Sequence, residues 1–443
     1  MTWTTNSLRW FENLLLERFG HCFKAEDESN ILRLTIEGSG KSLCIAERQA
    51  AFHEPGADFA CAKWRPSTEG FRAPIADEIP APTVKDLTCP LVEFTSKGAV
   101  VNYDIAGLIY WILNRLEEVG FKDLDEHERF PSTSSHAFRH GYLERPIVDE
   151  WLIILSQIMK HVWPQLEFKR QEFNIKVSHD VDRPSLYSFQ SWPSIIRMMA
   201  GHLIKRGDLR SFLTALWVRI TVGSRLHPSD PFNTFDWLMD ISEKNGLTSA
   251  FYFISGRTDL RFDADYDLTD PSIRDLMRRI HKRGHEIGLH PSYGTYNQPD
   301  LIRQEFESLK NLCASEGIMQ KSWGGRMHYL RWEQPTTLRA CANAGLVYDT
   351  TMGYADRPGF RCGTCHEYTA FDPLMNEPIS LKIRPLIVME CALMPEKPAG
   401  EFKINLLKER CKRVKGSFTL LWHNSSFNSM HDFCLYSKII GSR

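Results

Sequence analysis

The sequence lacks the features that mark several large classes of protein. Its 54 Lys and Arg residues are balanced by 55 Asp and Glu residues, a formal net charge of −1 over 443 residues, with no basic stripe that would indicate a nucleic-acid partner. The longest apolar runs, at 151–155 and 386–389, are far shorter than the roughly 20 residues of a transmembrane helix. We therefore expect neither a nucleic-acid partner nor a transmembrane segment.

We also predict that the sequence has no secretory signal peptide. The first residues, MTWTTNSLRWFENLLLERFG, contain Glu12 and Glu17 where an apolar core would be needed, so we interpret them as an amphipathic helix. The eleven cysteines are an odd number and are typical of reduced thiols, which predicts a cytoplasmic protein. The C-x-x-C-H pattern at 362–366 matches haem attachment. Because that chemistry requires export, we do not favour a haem there. We do not favour another metal or redox role for this pair of cysteines either.

The sequence contains 42% hydrophobic and 12% aromatic residues, which is enough to form a large hydrophobic core. We expect residues 1–168 to form a smaller α/β accessory domain. Within it, the spacing of apolar residues predicts helices over 105–118 and from Ile147 onward. The stretch 54–83, rich in Pro, Gly and Ala, predicts a loop.

The remaining residues, 169–443, alternate helix and strand. Three segments follow the order helix, glycine, strand, with the glycine where a left-handed C-cap is needed: Gly246, Gly284 and Gly345. Further strands are predicted at 173–178, 386–393 and 417–423. This alternation predicts an α/β domain with a mainly parallel sheet, open or closed into a barrel. Residues 186–233 interrupt the pattern, and we interpret them as a helical insertion over one rim, with packing favoured over substrate shaping.

Several chemically useful side chains lie where predicted strands end, the edge that carries reactive groups in parallel sheets. Asp180 and Asp182 face the same side of an extended chain, roughly 6–7 Å apart, so one can hold a metal while the other handles a proton. His290 and His423 end two other strands, and histidine suits metal binding. A further group lies within 324–332: Arg326, His328, Tyr329 and Arg331. Each alone is also typical of a solvated loop, a helix N-cap or a structural histidine.

As an ordered set, these segments resemble the five motifs of the polysaccharide deacetylase family, carbohydrate esterase family 4, of the NodB-homology type. SHDVD at 178–182 matches a spaced variant of its acidic pair, and GHEIGLH at 284–290 matches the lead of its second motif. RMHY at 326–329 aligns with R-x-P-Y, with His in place of Pro. The remaining matches are YDTTMGY at 348–354 and LLWH at 420–423.

The resemblance implies a distorted (β/α) barrel and a set of residue roles. Asp180 would be the catalytic base, Asp182 and His290 would bind the metal, Arg326 would orient the base, and His423 would be the general acid. The backbone near Tyr329 would help to form an oxyanion site.

The amino-terminal part carries a resemblance of its own. Segments at 104–118, 125–131 and 145–151 resemble a domain that precedes such a module in long bacterial surface-sugar proteins.

One departure from the family pattern concerns the metal. The second histidine of the second motif would fall at Gly294. His328 is the candidate replacement because its motif borders the same rim, whereas His179 should face away from Asp180 and Asp182. Three possibilities remain open: a metal on Asp182, His290 and His328, a metal on two protein ligands plus water, or no metal. Zn²⁺ suits mixed N and O ligands, and Fe, Co or Mn are alternatives.

These expectations predict a metal-dependent hydrolase that removes an N-acetyl group from an amino sugar in surface-polysaccharide metabolism. The substrate would be an N-acetylated carbohydrate, either nucleotide-linked or lipid-linked, contacted by Tyr329, Arg331 and Trp422. Core packing is an equal alternative for Trp422. Two other functions stay open: hydrolysis of another C–N bond, such as a cyclic amide or imide, and a non-catalytic carbohydrate-binding scaffold, which Gly294 would favour.

Overall fold

A computed structural model describes residues 3–28, 30–46, 49–221 and 223–441. Their helices are α1 (Thr5–Phe19), α2 (Ile105–Leu113), α3 (His136–Arg139), α4 (Ile147–Val162), α5 (Trp192–Arg206), α6 (Leu209–Ile220), α7 (Phe235–Lys244), α8 (Pro271–Lys282), α9 (Pro299–Ser315), α10 (Thr336–Ala344), α11 (Lys397–Arg413) and α12 (Met430–Gly441).

The strands of the described residues belong to three sheets. They are β1 (Lys24–Glu28), β2 (Ile31–Thr35), β3 (Ser42–Ile45), β4 (Ala60–Trp64), β5 (Ile79–Thr83), β6 (Val92–Thr95), β7 (Gly98–Val101), β8 (Asn174–Val181), β9 (Ser249–Phe253), β10 (Glu286–Leu289), β11 (Gly324–Gly325), β12 (Tyr348–Asp349), β13 (Tyr368–Asp372), β14 (Glu377–Ile383), β15 (Val388–Met389) and β16 (Ser417–Leu421). The mixed α/β expectation is confirmed.

The first sheet lies in the amino-terminal part and has the order β1-β2-β3-β7-β6. Neighbouring strands in this sheet run antiparallel, except that β3 and β7 run parallel to each other. Helix α2 is buried along its whole length, and Asp104 caps its start by accepting a hydrogen bond from the backbone N–H of Gly107. The stretch 54–83, predicted to be a loop, contains the β4–β5 ladder. Alternating Ala and Pro hid the strand pattern of β5.

The second sheet has the order β13-β14-β12-β11-β10-β9-β8-β16-β15, and only β13 runs antiparallel to its neighbour. β9 (SAFYF) and β16 (SFTLL) are buried at every position, as expected of parallel strands covered on both faces. The predicted strand over 386–393 is shorter than expected, because the chain turns into a 3-10 helix at Glu390–Glu396.

One continuous segment, 377–389, pairs with two strands, β12 and β16, that lie far apart in the order of this sheet. Its first part, β14, pairs with β12, and its last part, β15, pairs with β16. Between them, the N–H of Arg384 donates to the carbonyl of Asp349 at 2.8 Å, and the N–H of Ile387 donates to the carbonyl of Thr419 at 3.2 Å. The segment therefore joins the two ends of the order β12-β11-β10-β9-β8-β16.

Glycines in β10 and β11 make room for two tyrosines between the strands. A Cβ added to Gly324 would lie 1.9 Å from Cζ of Tyr348, and one added to Gly288 would lie 2.4 Å from Cδ1 of Tyr252. The two tyrosine hydroxyls are 3.2 Å apart, and that of Tyr348 donates to Glu286 at 2.7 Å. Only residues without a side chain fit there.

The amino-terminal part packs directly on the second sheet. The predicted amino-terminal helix is α1, and Trp10 donates from Nε1 to the carbonyl of Thr369 at 2.8 Å. Buried ion pairs continue this contact, including Arg361 with Glu118 at 2.6 Å. No helix among the described residues combines the length and the apolar character needed to cross a membrane.

The C-x-x-C-H segment is part of the same contact. Cys362 and Cys365 are both buried. The carboxylate of Asp149 accepts hydrogen bonds from Arg18, from the hydroxyl of Thr364 and from the backbone N–H of Cys365. These contacts account for both oxygens of Asp149.

Candidate active site

The predicted site residues converge where the parallel strands of the second sheet end. Asp180 is the last residue but one of β8, Asp182 follows it, His290 follows β10 and Arg326 follows β11. His423 lies two residues beyond β16. Together with His328 and Tyr329, all of these except Arg326 line one cavity of about 610 Å³.

Asp180 is held by a fixed guanidinium. Nη1 of Arg326 donates to Oδ1 of Asp180 at 2.7 Å, while its other nitrogens donate to Oγ of Ser178 at 2.8 Å and to the carbonyl of Thr350 at 3.1 Å. Arg326 is completely buried, so this pair is not weakened by solvent. The second oxygen of Asp180 faces the cavity and lies 4.0 Å from Nε2 of His423.

Asp182, His290 and His328 form a compact group of candidate metal ligands, with one ligand atom of each within 4.8 Å of the others. Nε2 of His290 lies 3.2 Å from Oδ1 of Asp182, and Nε2 of His328 lies 3.8 Å from the same oxygen. Each ring is oriented through Nδ1. That of His290 donates to the carbonyl of Arg326 at 2.6 Å, and that of His328 donates to Asp263 at 3.0 Å. Both Nε2 atoms are therefore free to present a lone pair.

These residues fit a divalent metal. Oδ1 of Asp182 is buried and has no hydrogen-bond partner among the described residues, although two imidazole nitrogens face it. Three electron-rich atoms so close together repel one another unless a cation or a proton lies between them. The donor set of two nitrogens and one carboxylate oxygen is of the kind that holds Zn²⁺ with an open position.

The pKa values of Asp182 and His290 also indicate that this group of ligands favours a positive charge. Burial alone would raise the pKa of Asp182, but contact with His290 and the charges of His328 and His423 outweigh it and hold this pKa below its usual range. Burial opposes protonation of His290, yet Asp180 and Asp182 raise its pKa. A proton and a metal would compete for the same position.

The imidazole of His423 contacts the buried carboxylate of Glu390 on the side away from Asp182. Nδ1 of His423 lies 2.5 Å from Oε1 of Glu390, which also accepts from Oγ of Ser426 at 2.7 Å. Burial lowers the pKa of His423, but Glu390 and the neighbouring Cys391 raise it well above its usual value. Nε2 points toward the two acids and lies 3.5 Å from Asp182. The contact with Glu390 favours the protonated imidazole, and His423 is among the residues that line the cavity.

Sequence reasoning missed Asp263 and assigned no role to Glu390. Asp263 belongs to the loop after β9 and accepts hydrogen bonds from His328, from the N–H of Tyr293 at 2.7 Å and from the N–H of Thr258 at 2.8 Å. Burial raises its pKa, but these donors overcome burial and lower it to about 2. The available signal was an acid-rich loop, DLRFDAD at 259–265, at a strand end.

Two of the three predicted substrate contacts do not lie on the cavity wall. Tyr329 lines the cavity, but Arg331 is buried and donates to the carbonyls of His127 at 3.0 Å and Tyr293 at 2.7 Å. Trp422 lies immediately beyond β16, is 3% exposed and packs against Phe427, and it is not among the residues that line the cavity. The structure therefore places neither Arg331 nor Trp422 among the residues that line the cavity, whereas from the sequence we expected both to contact the substrate.

Gly294 and His179 lie outside the ligand group. The N–H of Gly294 donates to Oγ1 of Thr258 at 2.7 Å, and an added Cβ would lie 3.1 Å from Thr258. His179 is buried on the opposite side of β8, where its Nδ1 lies 2.7 Å from the carbonyl of Trp422. His179 thus faces away from Asp180 and Asp182, as the strand geometry predicts.

The amino-terminal part also contributes to the cavity. Arg129 lines its wall, and Nη1 of Arg129 donates to the carbonyl of Tyr329 at 2.9 Å. Tyr329 has a φ of +60°, a left-handed conformation that is costly for a residue with a side chain. The contact with Arg129 helps to hold this turn.

Comparisons with known proteins give few matches. Residues 10–164 match the model of a family of unknown function, DUF7033. No curated protein matches the chain. Among solved structures, the chain is similar to a Mycobacterium smegmatis protein provisionally described as a polysaccharide deacetylase, with 12% identity, a TM-score of 0.40 and coverage of 63% of this chain and 84% of the other. It is also similar to the Puue allantoinase, with 10% identity, a TM-score of 0.34 and coverage of 61% and 83%.

Proposed function

We propose that this protein is a metal-dependent hydrolase that removes an N-acetyl or related acyl group from an amino sugar in surface-polysaccharide metabolism. The observation that carries the proposal is the orphaned Oδ1 of Asp182 facing His290 and His328, next to a buried Asp180–Arg326 pair and to His423, whose Nδ1 contacts the buried carboxylate of Glu390. Three functional groups of different character thus meet in one cavity. A non-catalytic scaffold would not require them to converge.

The metal ligands would be Asp182, His290 and His328. A bound divalent cation, Zn²⁺ or else Fe, Co or Mn, supplies Lewis acidity that polarises an amide carbonyl and lowers the pKa of water. Asp263 holds His328 in the orientation that this role requires, and the carbonyl of Arg326 does the same for His290.

The proton transfers are assigned to two side chains beside the ligand group, Asp180 and His423, whose Oδ2 and Nε2 atoms lie 4.0 Å apart. Asp180 accepts the proton of the attacking water through its cavity-facing oxygen, while Arg326 fixes the other oxygen. His423 gives a proton from Nε2 to the departing amine as the C–N bond breaks, and Glu390 stabilises the imidazolium before that step. The products are a free amino sugar and a carboxylic acid, acetate for an N-acetyl group.

We further propose the larger organisation that such an enzyme would have. The order β8-β9-β10-β11-β12, followed by segment 377–389 and β16, is a distorted (β/α) barrel formed by residues 169–443, with α5 and α6 as a helical insertion near 186–233. Residues 1–168 are an accessory domain, and its Arg129 lines part of the cavity. A cytoplasmic location and a nucleotide-linked or lipid-linked sugar belong to the same proposal.

The first test replaces the base. Asp180→Asn should lower kcat/KM for an N-acetylated amino sugar by about 10²–10⁴-fold while bound metal, measured by elemental analysis, stays unchanged. Asp265→Asn is the matched control, because Asp265 lines the same cavity but pairs with Arg257 at 3.3 Å. Full activity of Asp180→Asn would remove the proposed base.

A substrate panel tests the bond that is cut. N-acetylated sugars, free and nucleotide-linked, are compared with cyclic amides and imides under the same metal loading. Hydrolysis of the cyclic substrates alone would replace the deacetylase proposal with an imidase-like activity. Absence of both metal and hydrolysis would favour the scaffold.

A further inference from the structure

Helices α5 and α6 form a hairpin with an apolar outer surface in addition to its inner one. The inner surface is a small core of its own, made by Tyr187, Ile195, Met199, Ala215 and Val218. The outer surface carries large apolar side chains that are exposed in the described chain. Its members are Trp192, Ile196, Leu203, Ile204, Leu209, Leu213, Trp217 and Ile220. A second apolar face on an already packed hairpin needs a partner.

The exposed residues follow helical spacing. On α6, Leu209, Leu213, Trp217 and Ile220 are separated by four, four and three residues and therefore share one face. On α5, positions 192, 196 and 203 also share a face. Ile220 is 63% exposed, Ile196 62% and Trp217 61%. These values describe a stripe along each helix, not isolated surface residues.

The hairpin concentrates exposed apolar surface. Eight of the twenty large hydrophobic residues that are exposed in the described chain lie within 192–220. Arg219 closes one end of the hairpin, with its guanidinium 4.8 Å from the ring of Trp192. Elsewhere in the described chain, exposed large hydrophobic residues occur singly or as an adjacent pair along the sequence, and scattered exposed apolar residues are normal for a folded protein.

The charge of the hairpin identifies the partner chemistry. Residues 192–220 contain five basic residues and one acidic residue, Asp208, although the whole chain has a net charge of −1. Apolar stripes flanked by Lys and Arg are typical of helices that lie in the interface of an anionic bilayer. At 15 and 12 residues, the two helices are shorter than the roughly 20 residues that span a membrane.

The hairpin also adjoins the cavity. Gln190 and Arg183 line the cavity wall, and α5 begins two residues after Gln190. A surface on which the hairpin rests would therefore lie beside the cavity mouth.

We propose that the α5–α6 hairpin docks the protein on an anionic lipid bilayer, so that the cavity receives an amino sugar held at the membrane by a lipid. The docking step stands on the hairpin alone. The identity of the substrate rests on the proposed function, which left open a nucleotide-linked or a lipid-linked sugar. Docking on a bilayer favours the lipid-linked sugar.

Vesicle flotation of the full chain tests docking. Wild type should float with phosphatidylcholine–phosphatidylglycerol vesicles, bind phosphatidylcholine alone much less, and be released by salt. The triple variant Leu213→Gln/Trp217→Gln/Ile220→Gln should bind at least about tenfold more weakly. The control Met319→Gln/Phe402→Gln/Met430→Gln, which changes exposed apolar residues elsewhere, should bind as wild type.

Three outcomes would overturn docking. They are wild-type binding by the hairpin variant, equal binding of wild type to neutral and anionic vesicles, and a wild-type dimer in sedimentation that the hairpin variant splits, since the surface would then cover a second copy. Hydrolysis of a short N-acetylated sugar free in solution separates the two proposals. The hairpin variant should retain it, and vesicle binding without any hydrolysis would overturn the proposed function but not the docking.

Discussion

At the scale of single residues, the position of His328 determines which side chains make up the candidate ligand group. The family pattern places a histidine at position 294, where this chain has Gly294, and the structure instead brings Nε2 of His328 within 3.8 Å of Asp182. The turn at Tyr329 and Leu330, with φ values of +60° and +56°, forms this part of the cavity wall. Such backbone is costly and persists where surrounding contacts hold it.

The role of Asp263 gives a prediction at this scale. Asp263→Asn removes the carboxylate that orients His328, so metal affinity should fall about 10–100-fold with little change in fold. Competition with a chromophoric chelator measures the affinity, and Asp265→Asn serves as control because Asp265 pairs with Arg257 and is not a member of the candidate ligand group. An unchanged affinity would mean that His328 is not a ligand.

At the scale of elements, short strands deliver the chemistry. β11 has two residues and β12 has two, yet each aligns its following residues with those of its neighbours. Parallel pairing brings the ends of successive strands to one edge, so residues far apart in sequence meet there. Glycines at 288 and 324 are required by the tyrosines between these strands.

Gly324→Ala tests that requirement. The added methyl group would meet the ring of Tyr348, so the free energy of unfolding should fall by about 1–3 kcal/mol. Gly201→Ala is the matched control. Gly201 is helical and has no atom within 4 Å of an added Cβ, so this change should raise the free energy of unfolding by up to about 1 kcal/mol. Chemical denaturation measures both, and a neutral Gly324→Ala would show that the tyrosines can move aside.

At the scale of the whole molecule, the amino-terminal part and the second sheet form a shared structure. Glu118 pairs with Arg361, and Glu128 pairs with Arg331, so acids of the first part neutralise buried cations of the second. Removing one partner of such a pair leaves a buried charge and is costly. The stability of each part therefore depends on the other.

Buried neutral histidines make the stability of the molecule depend on pH. Burial and the nearby His140 lower the pKa of His136 from 6.5 to about 4. Its Nε2 donates to the carbonyl of Phe59 at 3.0 Å, and Nδ1 accepts from the hydroxyl of Tyr142 at 2.5 Å. The unfolded chain binds more protons between these pH values, so the free energy of unfolding falls as pH drops from about 6.5 to about 4.

The expected contribution of His136 is up to about 3 kcal/mol at the acid end of this range. His136→Gln should flatten the pH dependence of the urea midpoint between pH 7.5 and 5, whereas the exposed His431→Gln should leave it unchanged. An identical slope in His136→Gln and wild type would contradict the assignment.

Local signals predicted much of the fold. Gly246, Gly284 and Gly345 all have positive φ, as their placement at helix ends predicted. Helix α4 begins at Ile147 as expected, whereas the helix predicted over 105–118 ends at Leu113. Its last turn is replaced by a tighter one at 116–118, because Arg115 adopts a left-handed conformation.

By itself, the sequence determined the alternation of helix and strand and the presence of acids, histidines and an arginine at strand ends, because periodicity and capping are local properties of the chain. Only the tertiary structure decided that His328 joins Asp182 and His290, that Glu390 holds His423, and that Arg331 and Trp422 pack away from the cavity. Those outcomes depend on which strands become neighbours and which way each side chain turns, and contacts between distant segments set both.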